Sequence, residues 1–192
     1  MRSAEIKRET RETSISVYLN LDEKSAPEIA TGIGFFDHML TAFAVHSGFT
    51  VKISCVGDLN VDGHHTVEDI GIALGQAFCG AVGGRAGIAR YASQYIPMDE
   101  ALALAVVDIS GRPFLALDAA FPEERVGEFD TCLVVEFFRA FAVNAGITLH
   151  LRAEYGHNSH HMIEALFKAA AHALRQASRI AYTDTLSSKG VL

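Results

Sequence analysis

An adjacent pair of histidines followed by a glutamate occurs twice in this chain, and that repetition constrains the fold more than any other feature. Asp62-Gly-His-His-Thr-Val-Glu-Asp69 returns as Asn158-Ser-His-His-Met-Ile-Glu164, with His64 and His160 96 positions apart. Each copy opens a helix-like apolar segment, IGIALGQAF after the first and ALFKAAAHAL after the second. On a helix, the first histidine and the glutamate of each copy (His64/Glu68 and His160/Glu164) stand at i and i+4 on one face. The second histidine of each pair (His65, His161) projects about 100° away from the first. Such a pair reaches two ions more easily than it converges on one, so two facing copies would bracket a pair of metal ions. A lone helical histidine is ordinarily a surface or hydrogen-bonded core residue. Recurrence at the mouth of a second helix is what favours ligation here.

The repeat extends beyond the histidines. Ala42-Phe-Ala-Val-His-Ser-Gly48 matches Ala140-Phe-Ala-Val-Asn-Ala-Gly146 at an offset of 98, and each is followed by a strand, a loop and a His-His helix. The alternation Ile15, Val17, Leu19, Leu21 predicts a half-buried strand, led in by an exposed, edge-forming charged run. DEKSAPEIATG carries turn chemistry. Apolar residues at 35, 36, 39, 40, 43 and 44 predict a helix closed by Gly48. A strand over 49–55 precedes the first motif. The second half reads as two strands around Ser110-Gly-Arg-Pro113, a helix over 128–145, a strand over 147–153 and a helix over 159–181. Strands, helix, strand, helix, done twice, is an internally duplicated α+β fold with pseudo-twofold symmetry and helices packed against sheets. The glycine-rich GAVGGRAGIAR is its natural midpoint. The expected halves are residues 1–90 and 91–192, the second ending in a substrate-binding tail, within one compact unit.

Composition narrows the function. The net charge of −7, from 16 Lys and Arg against 23 Asp and Glu, leaves no electrostatic footprint for nucleic acid. No apolar run is long enough to span a membrane, and the charged N-terminus has no apolar core of a signal peptide. Cys55, Cys79 and Cys132 are scattered in apolar surroundings, which fits reduced thiols in a cytoplasmic protein.

Two further histidines, His38 in Phe-Phe-Asp-His-Met-Leu and His150 in Ile-Thr-Leu-His-Leu-Arg, are candidates for one extra ligand each. At the offset of 98 they correspond to Glu136 and Lys52, so neither is duplicated. His46, His157 and His172 are weaker candidates, and His172 reads as a surface residue of the last helix. Imidazole and carboxylate without thiolate suit Mn, Fe, Zn, Ni or Co alike. A phosphate-sized anion could be held by Arg90, Arg112, Lys168 and the Ser187-Ser188-Lys189-Gly190 tail, which offers hydroxyls, amides and an ammonium together.

FFDHML, DGHHTVEDIGIALGQA, SGRP, NSHHMIEALFKAAAHAL and the terminal SSKGVL, in this order over essentially the whole chain, resemble the imidazoleglycerol-phosphate dehydratases of histidine biosynthesis, in their monofunctional form. Gly63 and His157 depart from what many relatives carry, and neither is an expected ligand. The resemblance implies a duplicated α+β fold and two Mn(II) ions per active site. It also implies sites at subunit interfaces in a homo-oligomer of 24 chains built from trimers. By the resemblance His38, His64, His65, Glu68, His150, His160, His161 and Glu164 look like metal ligands. Arg90, Arg112, Lys168, Ser187, Ser188 and Lys189 look like the phosphate grip, with His38 and His46 also against substrate. Glu12 looks like the acid/base near the reacting carbons, and Glu68, Asp69 and Glu164 join it as catalytic carboxylates. The implied reaction removes a hydroxyl from the carbon on the imidazole ring and a proton from the next carbon. No carbonyl flanks that C–H, so the ring itself must serve as the electron reservoir.

Two other readings use the same residues. A dinuclear metallo-phosphohydrolase of a small phosphorylated metabolite would release inorganic phosphate. Metal-mediated assembly without catalysis would leave Arg112 and the tail unexplained.

Overall fold

The computed structural model describes residues 1–187 and 189. Period-two burial builds the first sheet: Ile15, Val17 and Leu19 of β2 (Thr13–Asn20) point inward while the residues between them face out. Around it lie β1 (Ser3–Glu9), β3 (Glu28–Ala30) and β4 (Thr50–Gly57), in the order β1-β2-β4-β3. The second sheet consists of β5 (Tyr91–Met98), β6 (Ala101–Asp108), β7 (Phe114–Asp118) and β10 (Thr148–Tyr155), in the order β5-β6-β10-β7. A two-stranded ribbon, β8 (Arg125–Val126) with β9 (Phe129–Asp130), lies between β7 and the next helix.

The two sheets are wired alike. In each, the first three strands pair antiparallel, and the fourth pairs parallel after a helical crossover. The crossovers are α1 (Gly34–Ser47) and α3 (Leu133–Ala145), and each ends on a glycine in the left-handed region, Gly48 at φ 70° and Gly146 at φ 65°. The histidine-pair helices are α2 (His64–Val82) and α4 (Ser159–Ser178). This is the duplicated α+β plan.

Helix packing then crosses between halves. α2 lies on β1 and β2 and α4 on β5 and β6, but α2 packs against α3 of the other half and α4 against α1. Phe137, Phe138, Phe141 and Phe167, all fully buried, fill the centre, with the Phe138 and Phe167 rings 4.7 Å apart. α2 meets α3 through Gly71 and Gly75, where an added Cβ would lie 2.7 Å from the Phe137 carbonyl oxygen and 2.6 Å from that of Phe141. Backbone oxygens on a packed helix cannot yield. Gly71→Ala is therefore expected to cost a net ~2 kcal/mol, since overpacking exceeds the ~1 kcal/mol that alanine returns in helix propensity. A lowered urea midpoint checks this; an unchanged midpoint would mean the helices separate freely.

Several expectations need correction. The helix expected from 128 begins at Leu133, because Phe129 is drawn into the core beside Phe36 and the Thr131 hydroxyl donates to the carbonyls of Glu123 and Glu124. β3 forms in a stretch whose composition suggests only turns. β5 escapes periodicity because it is an edge strand without a fully buried residue, and it carries Pro97. α4 stops at Ser178 instead of 181. Among the described residues, no helix is long and apolar enough to cross a membrane.

Candidate functional site

Both histidine pairs sit at helix starts whose backbone is pinned two residues upstream. The Asn158 side chain accepts from the His160 and His161 amides, and Asp62 Oδ1 accepts from the His64 amide at 2.7 Å. The first turn of each helix thus holds its imidazoles in a fixed direction.

The pole at α4 gathers residues from both halves. His38, carried by α1, brings Nε2 to 3.4 Å from Glu164 Oε2, and His160 Nε2 lies 3.2 Å from the same oxygen. Among the described residues, His38, His160 and Glu164 are the group of three whose ligand atoms all fall within 4.8 Å of one another. An ion with bonds of ~2.1 Å has ligands separated by roughly 3.0–4.2 Å, so the spacing suits a single cation. Glu164 is 6% exposed. Burial works to raise its pKa, but the Lys168 ammonium at 2.7 Å and His38 outweigh it, and the carboxyl titrates below its ordinary value.

At the pole on α2, His64 Nε2 lies 3.8 Å from Glu68 Oε2. His65 Nδ1 is 2.9 Å from Asp58 Oδ2, and its Nε2 is 3.8 Å from Glu12 Oε1. His161 repeats this arrangement at the other pole, with Nδ1 2.7 Å from Glu100 Oε2 and Nε2 3.7 Å from Asp99 Oδ2. The carboxylate hydrogen bonds raise the pKa of both imidazoles. His161 and the backbone amides of His157 and Asn158 lower that of Glu100 to about 2. Ring nitrogens held on one side by carboxylate, facing open space and carboxylate on the other, are a donor set that fits a metal. Without thiolate it does not discriminate between Mn, Fe, Zn, Ni and Co.

Glu12 stands at the exposed tip of the β1–β2 hairpin. The turn is closed by Thr10, whose Oγ1 accepts from the amides of Glu12 and Thr13. Thr13 Oγ1 in turn donates to Asp69 at 2.5 Å, and Arg8 pairs with the other Asp69 oxygen at 2.9 Å. Asp69, 6% exposed, is therefore committed to anchoring the hairpin. Both oxygens of this expected catalytic carboxylate are thus engaged beneath the turn, by Thr13 and Arg8.

Of the anion-binding candidates, Lys168 stays at the α4 pole, its ammonium 2.7 Å from Glu164, while Arg90 and Arg112 converge at the far end of α4. Arg90, itself in the left-handed region at φ 70°, donates its amide to Ala177 O, its Nε to Asp108 and its Nη1 to Leu186 O. Arg112 Nη2 meets the same Asp108 at 3.1 Å. Two arginines on one carboxylate leave an excess positive charge beside the backbone that leads into Ser187 and Lys189, where the Lys189 amide donates to Ser187 Oγ. Ser188 lies outside the described residues.

Other expectations place differently. His150 projects from the outer face of β10, level with Val106 and Ala116 and 6.4 Å from the Phe114 ring, away from both poles. Strand alternation is the reason: Leu149 and Leu151 take the face toward α4. His172 is not a free surface residue, since its Nε2 lies 3.1 Å from His46 Nδ1, and burial lowers the pKa of both. His46 stands on the last turn of α1 with Lys168 among the charges that act on it.

Sequence reasoning missed Asp58, Glu100 and Asp99, which no spacing ties to the histidines. It also passed over Glu136, which takes on α3 the place that His38 takes on α1. The offset of 98 pairs them, and the start of α3 meets the start of α2, where a Cβ added at Gly63 would lie 3.3 Å from Leu133.

The sequence model of the imidazoleglycerol-phosphate dehydratase family matches residues 31–174. The imidazoleglycerol-phosphate dehydratase of Rhodopseudomonas palustris is 56% identical over 195 residues, covering 100% of this chain and 99% of the relative. That of Thermoanaerobacter pseudethanolicus is 57% identical over 194 residues and covers 100% of both chains. Among solved structures, the Staphylococcus aureus dehydratase superposes with a TM-score of 0.84 at 44% identity, over 94% of this chain and 99% of that one. The Pyrococcus furiosus dehydratase superposes with a TM-score of 0.86 at 37% identity, over 97% and 100%.

Proposed function

The chain belongs to the imidazoleglycerol-phosphate dehydratase family, and from that premise we propose that it dehydrates D-erythro-imidazole glycerol phosphate to imidazole acetol phosphate in the cytoplasm, with two Mn(II) ions at each site. It is a hydro-lyase of histidine biosynthesis acting on a phosphorylated imidazole. The observation that carries the reading is that the matched residues contain both histidine pairs with their glutamates, at helix starts whose ring nitrogens are steadied by carboxylate.

His38, His160, His161 and Glu164 would hold an ion at one pole. His64, His65 and Glu68 would hold one at the other, with Glu136 in the position His38 has. When bound, such ions supply positive charge to the substrate's imidazole and lower its N–H pKa. The remaining work falls to side chains of the chain itself. Glu12 accepts the proton from the carbon beside the one that loses hydroxide, and it is held in reach of the α2 pole by the Thr10, Thr13 and Asp69 anchor. Arg90, Arg112, Ser187, Ser188 and Lys189 grip the phosphate, with Lys168 and His46 contributing positive charge and a donor from the other side.

This division requires more than one copy. His160 and Ala177 are 17 residues apart on α4, about 25 Å along its axis, and Arg90 is bonded to Ala177. A three-carbon phosphate carrying an imidazole spans roughly 10 Å, about seven bonds of ~1.5 Å. One chain cannot offer both its α4 pole and the Arg90 and Arg112 cations to one substrate, so a neighbouring copy supplies one of them. The outer face of the second sheet, with Tyr91, Tyr95, Phe114 and Tyr155 exposed, favours packing of copies, and the family resemblance points to 24 chains built from trimers.

The test is turnover of imidazole glycerol phosphate by chelator-stripped protein with and without Mn(II), following the ketone and inorganic phosphate. Mn-dependent ketone without phosphate is expected. Free phosphate would instead mean a hydrolase, and neither product despite bound metal would mean a metal-assembled protein without this chemistry.

A further inference from the structure

We propose that Glu100 and Asp58 are positioning residues that clamp Nδ1 of His161 and His65, so that Nε2 of each ring is the nitrogen offered to metal. The inference rests on the metal reading above and assigns it two residues that touch neither ion nor substrate. His161 Nδ1 lies 2.7 Å from Glu100 Oε2, and His65 Nδ1 lies 2.9 and 3.2 Å from the two Asp58 oxygens. These are hydrogen-bond distances. The carboxylates on the Nε2 side, Asp99 at 3.7 Å and Glu12 at 3.8 Å, are beyond them. A neutral imidazole that donates Nδ1–H to a carboxylate must leave its lone pair on Nε2, with its direction set and its basicity increased.

Duplication alone does not account for the two clamps. Asp58 follows β4, and its counterpart at the offset of 98 is Gly156, which carries no side chain. Glu100 comes instead from the β5–β6 turn, whose counterpart in the first half is the hairpin tip bearing Glu12. The two halves thus reach the same ring geometry from different elements. Glu100 also accepts from the backbone amides of His157 at 3.2 Å and Asn158 at 3.0 Å, and Asn158 in turn caps the His160 and His161 amides. One carboxylate therefore fixes both the ring and the backbone that carries it.

The experiment is titration of the full-length, chelator-stripped protein with Mn(II), reading the free aqua ion by electron paramagnetic resonance, for wild type, Glu100→Gln and Asp58→Asn. Each substitution keeps shape but removes charge, and its amide can donate to Nδ1 and reverse the tautomer. Two tight ions per wild-type chain are expected, with one of them weakened about 10- to 100-fold in each variant and the melting temperature of the metal-free protein unchanged. Affinities within about threefold of wild type in both variants would overturn the clamp while leaving the metal reading intact, as threefold lies below the range for such outer partners. A wild type that binds no Mn(II) would overturn the metal reading, and the clamp with it. If Glu100→Gln fails to fold, because its loop amides keep only a neutral acceptor, Asp58→Asn decides alone, since no backbone amide is bonded to Asp58 side-chain oxygens among the described residues.

Discussion

Glu12→Gln is expected to lower kcat at least ~10²-fold while leaving Mn(II) stoichiometry unchanged, because the substitution removes a proton acceptor and little else. Its side chain makes no hydrogen bond within 3.5 Å among the described residues, and its nearest partner is His65 Nε2 at 3.8 Å. The hairpin tip is held through Thr10, Thr13 and Asp69, none of which depends on the Glu12 carboxylate. Glutamine keeps length and volume but cannot take a proton. The loss should therefore appear in kcat more than in KM, since the proposed phosphate and ring contacts do not involve Glu12. Measuring kcat, KM and bound metal on the same preparation checks all three. Turnover at the wild-type rate would remove Glu12 from the chemistry and direct attention to Asp99, which faces His161 Nε2 as Glu12 faces His65.

The second large effect tests the proposed division of the site between copies. His160→Ala deletes a donor at the α4 pole, and Arg112→Ala deletes a cation at the far end of the same helix. Each alone is expected to lose at least ~10² in kcat/KM, from lost electrostatic stabilisation and lost positioning respectively. Co-expressed and co-assembled, the two inactive chains should regain activity at about a quarter of the sites, those pairing an intact metal pole on one chain with an intact phosphate grip on the next. The reason is the ~25 Å of helix between the two groups within a chain, which one small phosphorylated substrate cannot bridge. Differently tagged chains purified together and assayed against each pure variant read this directly. A mixture no more active than its components would place the whole site within one chain, and the assignment of Arg90 and Arg112 to phosphate would fall with it.

Much of this was legible in the linear chain because the repeat is written in residues that alternate or recur at helical spacing. The two helix starts, the i and i+4 placement of His64/Glu68 and His160/Glu164, the αL glycines Gly48 and Gly146, and the duplicated α+β plan all follow from local periodicity, which a side chain obeys whatever lies across from it. The edge strand β5 and the β8–β9 ribbon did not show, because β5 buries no residue fully and Phe129 joins a core built by another element.

What only the tertiary structure decided is which residues meet. Spacing sets the two histidine pairs facing each other, yet crossed packing of α1 on α4 and α3 on α2 gives His160 and Glu164 the partner His38 instead. It leaves Glu136 at the corresponding place on the other helix. Asp69, one residue from Glu68, turns about 100° away to pair with the half-buried Arg8, and His150 leaves for the outer sheet face on strand alternation alone. Asp58 and Glu100 reach the rings from loops whose direction no periodicity records. A short-range pattern determines which way a side chain points along its own element. Which element it then faces depends on how apolar stripes and glycine windows pack at a distance, and that is settled by the whole core at once.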